Sequence, residues 1–493
     1  MPPSSPSASV VIGVDSSTQS TKAAVTDAAT GRLLAVGRAP HLVTGRHGAR
    51  ETEPGLWWSA LCDAVTAGLK EADVPPTAVT GIAVAGQQHG LVVLDAAGRP
   101  LRPAMLWNDT RAAPEAAALT ERLGGPAAWL ERTGSVPVAS MTAAKWQWLR
   151  EHEPARPVAA VRLPHDFLTE RLCGVAVTDP GDASGTCWYS TATGTYDPEI
   201  LDLIGLAPEL LPALAPGGGS RAGSLTAGAA ERLGLPEGIA VAVGTGDNMA
   251  AAVGLGLGGA GLLDHPVLSL GTSGTAFAAT RTRPASAALA GFAATDGTYL
   301  PLACTLNCTL AVDRIATLLG LDREDAEPGG GAVLLPYLDG ERTPDLPHAA
   351  GLLTGLRHAT TGRQLLGAAY EGAVFTLLRA LDELLRSCGL DPDDADVAAR
   401  PVRLIGGGAR GRVWADTVRR LSGRPVLVPE ADELVALGAA ALAAGAVTGR
   451  DPVAVATDWD TGRGTLLPAV PRDLPTWHRL SDVLDRATPA LLT

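Results

Sequence analysis

The sequence predicts an α/β protein built from two similar units in tandem, and three observations carry that expectation. At 493 residues the chain is too long for a single hydrophobic core. Each half opens with an apolar strand, a hydroxyl-rich turn and a returning strand, and then alternates strands with helices. A Gly-rich stretch at residues 254–261 makes a natural seam between the halves. On this reading residues 9–256 form the first unit, 257–449 the second, and 450–493 an extension.

In the first half, residues 9–15 are a short apolar run that ends at Asp15 and a polar turn, the pattern of a buried strand. Residues 22–27 and 32–37 follow across a turn at 27–31, so the chain opens as an antiparallel meander. Residues 53–72 place Leu56, Trp57, Ala60, Leu61, Ala64 and Val65 on one helical face. Residues 81–86 and 91–95 are strand-like again. In the second half, residues 267–270 form a strand ending at Gly271-Thr272-Ser273-Gly274, and 275–280 return as its hairpin partner. A strand at 299–302 and a long helix at 361–386 follow. Residues 402–405 are a strand running into Gly406-Gly407-Gly408 and a helix over about 413–421. Residues 426–428 and 433–446 supply a last strand and helix.

Composition narrows the function. With 46% hydrophobic and 18% charged residues, the chain has the balance of an ordinary globular enzyme, and only residues 1–9, rich in Pro and Ser, read as disordered. A formal net charge of −13 repels phosphodiester backbones, which argues against nucleic acid as a partner. Residues 431–447 are apolar but short, Ala-rich and opened by charged residues, so they read as a buried helix and not a membrane span. No charged region precedes the first apolar stretch, so a secretory signal is not expected and the expected location is the cytoplasm. The six cysteines form no CxxC, and Cys304 and Cys308 lack nearby paired ligands; reduced thiols are favoured over a zinc site.

Several turns carry residues suited to chemistry. Phosphate binding calls for backbone N–H groups gathered in a tight turn after a strand, which favours Gly, Ser and Thr. Residues 15–22 (DSSTQSTK) and 271–275 (GTSGT) both fit, although hairpin turns prefer the same residues. No Gly-Lys-Ser/Thr triplet exists, so there is no Walker A loop. A GxGxxG match begins at Gly254, but what precedes it is Ala/Gly-rich and not strand-like, a poor context for a dinucleotide. Asp247, between Gly246 and Asn248 after an apolar strand, is placed to act on a ligand; capping a helix that starts near Met249 is the structural alternative. Gln87, Gln88 and His89 form a polar triplet between two strands, suited to sugar hydroxyls. Asn108 offers the same chemistry beside Asp109, for which helix capping competes.

These pieces occur in the order shown by the FGGY carbohydrate kinases, which the chain resembles. Residues 140–152 (SMTAAKWQWLREH) are similar to the first signature of that family, and 351–356 (GLLTGL) with 364–371 (QLLGAAYE) to the second. Within the family the xylulokinases are most similar: residues 86–90 (GQQHG) look like their substrate loop, and 101–111 (LRPAMLWNDTR) like their next segment. Stretches at 163–167, 182–186, 246–248, 335–344 and 406–410 extend the match, so that it runs from roughly residue 10 to residue 446.

The resemblance implies two actin-like, ribonuclease-H-like domains around a deep cleft. It implies ATP with Mg²⁺, a ketose as acceptor, and phosphorylation of D-xylulose to D-xylulose 5-phosphate. By position Asp247 would be the catalytic base, and Gln88, His89, Asn108 and Asn248 would join it in contacting the sugar. Asp15 would act near Mg²⁺, directly or through water. Thr18 and Gly271, Thr272, Ser273 and Gly274 would surround the phosphates, while Gly407, Gly408, Ala409 and Arg412 would border the adenosine. Gln88 stands where many xylulokinases carry Met, and Ser17 replaces a Gly common in the first phosphate loop. Rival readings are a kinase for ribulose or glycerol, a non-catalytic sugar sensor on the same fold, and, third, a nicotinamide oxidoreductase. No membrane or nucleic-acid partner is expected, and a homodimer is the candidate assembly.

Overall fold

The computed structural model describes residues 9–344, 346 and 348–491; residues 1–8 of the Pro/Ser-rich start lie outside them. The chain forms two compact units that interleave along the sequence. One comprises the described residues of Met1–Leu263 with Ala290–Leu300 and Glu433–Gly462. The other comprises those of Asp264–Leu289, Pro301–Asp432 and Arg463–Thr493.

The first unit is organised on a sheet of strands β1 (Val10–Ser16), β2 (Ser20–Asp27), β3 (Leu33–Pro40), β4 (Val79–Gly86), β5 (Arg221–Ser224) and β6 (Ala240–Ala242), ordered β3-β2-β1-β4-β6-β5. The first three strands are an antiparallel meander. Strand β4 then runs parallel to β1, with Asp15 opposite Ala85 and Ser16 opposite Gly86. Strand β6 is parallel to β4, and β5 lies antiparallel at the edge. Every residue of β1 is buried, as a central strand covered on both faces requires. Val10, Ile12 and Val14 share a core with Trp57, Ala60, Leu61, Ala64 and Val65 of the helix Pro54–Ala72. Leu56, expected on that face, is 39% exposed. Val11 points the other way, into a core with Ala440, Ala441, Leu442 and Ala443 of the helix Leu434–Thr448.

That Ala-rich helix also carries the helix Asp247–Gly254. A Cβ on Gly438 would come within 1.8 Å of the Ala250 carbonyl oxygen, and one on Gly254 within 2.2 Å of that of Leu434, so the two backbones meet where only glycine fits. Residues 92–94 form the expected strand, but pair with Ala160–Arg162 and not with the main sheet. The GxGxxG match starts on the last residue of a helix, which removes the strand-to-helix context a dinucleotide site needs. Among the described residues, no single helix is long and apolar enough to cross a membrane.

The second unit repeats the plan with β7 (Val267–Leu270), β8 (Gly274–Phe277), β9 (Tyr299–Thr305), β10 (Val402–Ile405), β11 (Val426–Pro429) and β12 (Gly464–Leu467), ordered β9-β8-β7-β10-β11-β12. Here too an antiparallel trio is followed by parallel strands β10 and β11 and an antiparallel edge. The edges differ in connectivity: the edge strand β5 precedes its neighbour in the chain, whereas β12 follows its own. The 26-residue helix Gly362–Ser387 fills this unit's core and starts at a Thr361/Gln364 capping box.

Candidate functional site

In the first unit the candidate residues collect at the carboxyl ends of neighbouring parallel strands, where ligands bind in open α/β sheets. Asp15 ends β1. Gln87 and Gln88 follow β4, and the Gln87 N–H donates to the Ser16 carbonyl at 3.0 Å. The short strand Thr245–Gly246 pairs alongside Ala85 and Gly86 and delivers Asp247 to the same edge.

Asp247 is the first residue of the helix Asp247–Gly254, and Gly246 is the N-cap. The capping alternative for Asp247 therefore fails in its simple form, and Asn248 does not cap either. One oxygen of Asp247, Oδ1, accepts from the Asn248 backbone N–H at 2.8 Å and from its Nδ2 at 3.1 Å. Asn248 Nδ2 also donates to Gln88 Oε1 at 2.8 Å, so Gln88, Asn248 and Asp247 form one chain of polar groups. The Gln88 side-chain amide makes this link; a thioether in its place could not accept as well.

Burial pushes the Asp247 carboxyl up to about 7, helped by the negative charges of Asp15 and Asp182. Burial also raises Asp15, against the pull of Lys22. Ser17 Oγ donates to Asp15 Oδ1 at 2.6 Å, and Lys22 Nζ stands 3.6 Å from Oδ2. Ser17 lies outside the left-handed region, so the position tolerates a side chain, and that side chain serves the carboxylate. Lys22 is held at 2.8 Å by Glu433, which also pairs with Arg38. Sequence reasoning missed Glu433, because nothing links residue 433 to residue 22 before the chain folds.

Thr18 accepts a hydrogen bond from Trp107 Nε1 at 3.0 Å, tying the first turn to the segment that bears Asn108. Asn108 is half-buried, and its Oδ1 has no protein partner among the described residues. Asp109 caps no helix; the next one begins at Ala113. It instead accepts from the Arg50 backbone at 3.0 Å and pairs with Arg111 at 2.6 Å. His89 lies on the loop after Gln88 with φ 65°, its ring 5.4 Å from that of Phe292.

Beneath this edge lies a buried ionic cluster that the sequence did not reveal. His165 Nδ1 meets Asp182 Oδ2 at 2.6 Å, and its Nε2 faces Asp166 at 3.2 Å and Asp179 at 3.8 Å. Burial alone would depress the imidazole, but the three carboxylates outweigh it and raise it to about 9. Asp182 faces Gln88 and contributes to the raised Asp247 carboxyl, so the cluster supports the candidate base from below. His165 and Asp166 lie in the stretch 163–167 and Asp182 in 182–186, whose sequence alone suggests no role.

In the second unit two loops emerge side by side from the parallel strands β7 and β10. The turn of Gly271, Thr272, Ser273 and Gly274 joins β7 to β8. The Gly271 carbonyl accepts from Thr309 N at 3.1 Å and Oγ1 at 2.8 Å. Gly407, Gly408 and Ala409 follow β10 in a 3₁₀ turn, and a Cβ on Gly408 would lie 2.9 Å from both Leu270 and Thr309 side chains. Both loops therefore share one edge of this sheet. Arg412 opens the next helix, largely exposed, with its guanidinium at 3.3 Å from the Glu324 carbonyl. Among the described residues no three His, Cys, Asp or Glu side chains gather to ligate a metal; all six cysteines are buried and unbridged.

Residues 10–254 match the N-terminal domain of the FGGY family of carbohydrate kinases, and residues 267–447 match its C-terminal domain. A xylulose kinase of Streptomyces rubiginosus is 57% identical over 486 residues, covering 98% of this chain and 97% of that protein. Among solved structures, a xylulose kinase from Bifidobacterium adolescentis superposes with TM-score 0.79 at 33% identity, over 96% of this chain and 99% of the other. A xyloylose kinase from Brucella ovis does so with TM-score 0.86 at 29% identity, over 97% and 98%.

Proposed function

This chain belongs to the FGGY family of carbohydrate kinases, and on that footing we propose that it transfers the γ-phosphoryl group of ATP to D-xylulose, giving D-xylulose 5-phosphate and ADP. The observation that carries the reading is the convergence of Asp15, Gln88 and Asp247 on one strand-end edge, with the Asp247 carboxyl raised to about 7. A general base works best when its pKa lies near the operating pH. The kinship to xylulose kinases supports the choice of acceptor.

Phosphoryl transfer demands little covalent work from the protein beyond positioning and charge stabilisation. Gln88, His89, Asn108 and Asn248 would hold the ketose hydroxyls. Asp247 would accept the proton of the terminal hydroxyl as its oxygen bonds to phosphorus and ADP departs. Thr18 and residues 271–274 would cradle phosphates through backbone N–H groups, and Gly407, Gly408, Ala409 and Arg412 would border the adenosine. A magnesium ion suits this donor set: the buried carboxyl of Asp15, with no group of three or more His, Cys, Asp or Glu ligands around it among the described residues, fits a hard cation that keeps water and phosphate oxygens as its main ligands. Asp15 would hold Mg²⁺ directly or through water, and the ion would neutralise charge on the phosphate oxygens. On this assignment residues 9–256 supply the sugar side and residues 257–449 the nucleotide side. The cytoplasm, with its ATP, is the proposed setting.

The test is direct. Incubated with D-xylulose and Mg-ATP, the protein should release ADP and xylulose 5-phosphate in equal amounts. Chelation of Mg²⁺ should stop the reaction and its replenishment restore it. ATP turnover without a phosphorylated sugar would overturn the proposal.

A further inference from the structure

The loop bearing Gln88 and His89 is held by two buried side chains for which the chemistry above has no use. His89 sits at φ 65°, in the left-handed region that few residues other than glycine occupy. Its carbonyl oxygen receives two donors, Lys145 Nζ at 3.2 Å and Thr142 Oγ1 at 3.2 Å. Lys145 also donates to the Ser140 carbonyl. Lys145 and Thr142 are both fully buried. Lysine is almost never buried this completely. Here it also lies in the first turn of the helix Thr142–His152, where the helix dipole disfavours a cation. A lysine placed against two local rules marks a position where something else is gained. What it holds is the backbone of residue 89, whose imidazole lies beside Phe292 and so close to Gly185 that a Cβ there would come within 2.4 Å of the ring.

We propose that Lys145 and Thr142 are positioning residues for the sugar site: by holding the His89 carbonyl they keep residue 89 left-handed, and so present its imidazole, with Gln88 beside it, to the acceptor. This rests on the sugar-kinase reading above. The pair touches no substrate and acts through the loop.

A crystal structure of Lys145→Met and steady-state kinetics test it together. His89 is expected to leave the left-handed region, and KM for D-xylulose to rise about tenfold or more while KM for ATP stays within about twofold. Glycine adopts the left-handed conformation without support, so in a His89→Gly background Lys145→Met is expected to add less than about a twofold change. A variant that keeps His89 left-handed and its xylulose KM overturns the proposal. So does one that raises both KM values alike, or costs as much in the His89→Gly background. If Lys145→Met does not fold, Thr142→Val removes one donor from the same carbonyl and is read the same way, with a rise of about threefold expected. A wild-type protein that phosphorylates no ketose would refute the proposed function, and the conformation of His89 in the variant crystal would still decide the clamp.

Discussion

Asp247 has a glycine before it, an asparagine after it, and a carboxyl kept from full ionisation by its surroundings. Asp247→Asn retains the oxygen that accepts from the Asn248 backbone but removes the basicity. The variant should fold and bind ATP yet lose about 10² to 10⁴ in kcat, or roughly 3–5 kcal/mol of barrier lowering. Near-normal turnover would reduce this residue to a helix-start contact. The pH profile follows from the same carboxyl. As the proposed base, Asp247 acts in its ionised form, so kcat/KM for the sugar should climb with pH through an apparent pKa near 7 and level off above it. A limb that instead falls over that range would contradict the assignment. The stability sign is opposite. The folded carboxyl holds its proton up to about 7 while the unfolded one releases it at the ordinary value of 3.8, so the folded state is progressively penalised as pH rises between those values. Asp247→Asn should accordingly melt no lower than wild type at pH 8, and a clearly lower melting point there would tell against the raised carboxyl. The strand-end placement of Asp247 is legible because glycine, acid and apolar strand lie together in the sequence. Lys145 is not: residue 89's left-handed backbone, the reason a buried lysine is tolerated, exists only in the fold.

The inner strands of both sheets are legible in the sequence, because short apolar runs punctuated by Gly and polar turns leave little choice of element; the edge strands Arg221–Ser224 and Gly464–Leu467, which lack such a run, are not. Their order was less accessible. The helix Leu434–Thr448 was recognisable as buried from its Ala-rich run, but that it lies on β1, some four hundred residues upstream, depends on small residues matching across two backbones. This contact also sets the helix that begins at Asp247. Gly438→Val would force side-chain atoms into the Ala250 carbonyl. Overpacking of this kind typically costs about 1–3 kcal/mol, so the melting temperature should fall, and kcat with it, while Gly228→Ala, at a helical glycine with open space around it, should leave kcat unchanged and the melting temperature no lower. Equal stability of the two variants would show that the Gly438 crossing is not a tight one.

At the scale of the molecule, two units of similar plan, each with ligand-suited loops at the carboxyl edge of its parallel strands, account for a protein that must take two substrates. The family and the residue chemistry agree on phosphoryl transfer to a sugar. On the proposed reading the acceptor is set by a few side chains, chiefly the linked Gln88, Asn248 and Asp247. The decisive measurement is kcat/KM by coupled ADP release across a panel of D-xylulose, D-ribulose, L-ribulose and glycerol at saturating Mg-ATP. The account predicts that D-xylulose leads the panel by about tenfold or more, the discrimination expected when one buried hydroxyl contact is gained or lost. A clear preference for a ribulose or for glycerol would contradict it.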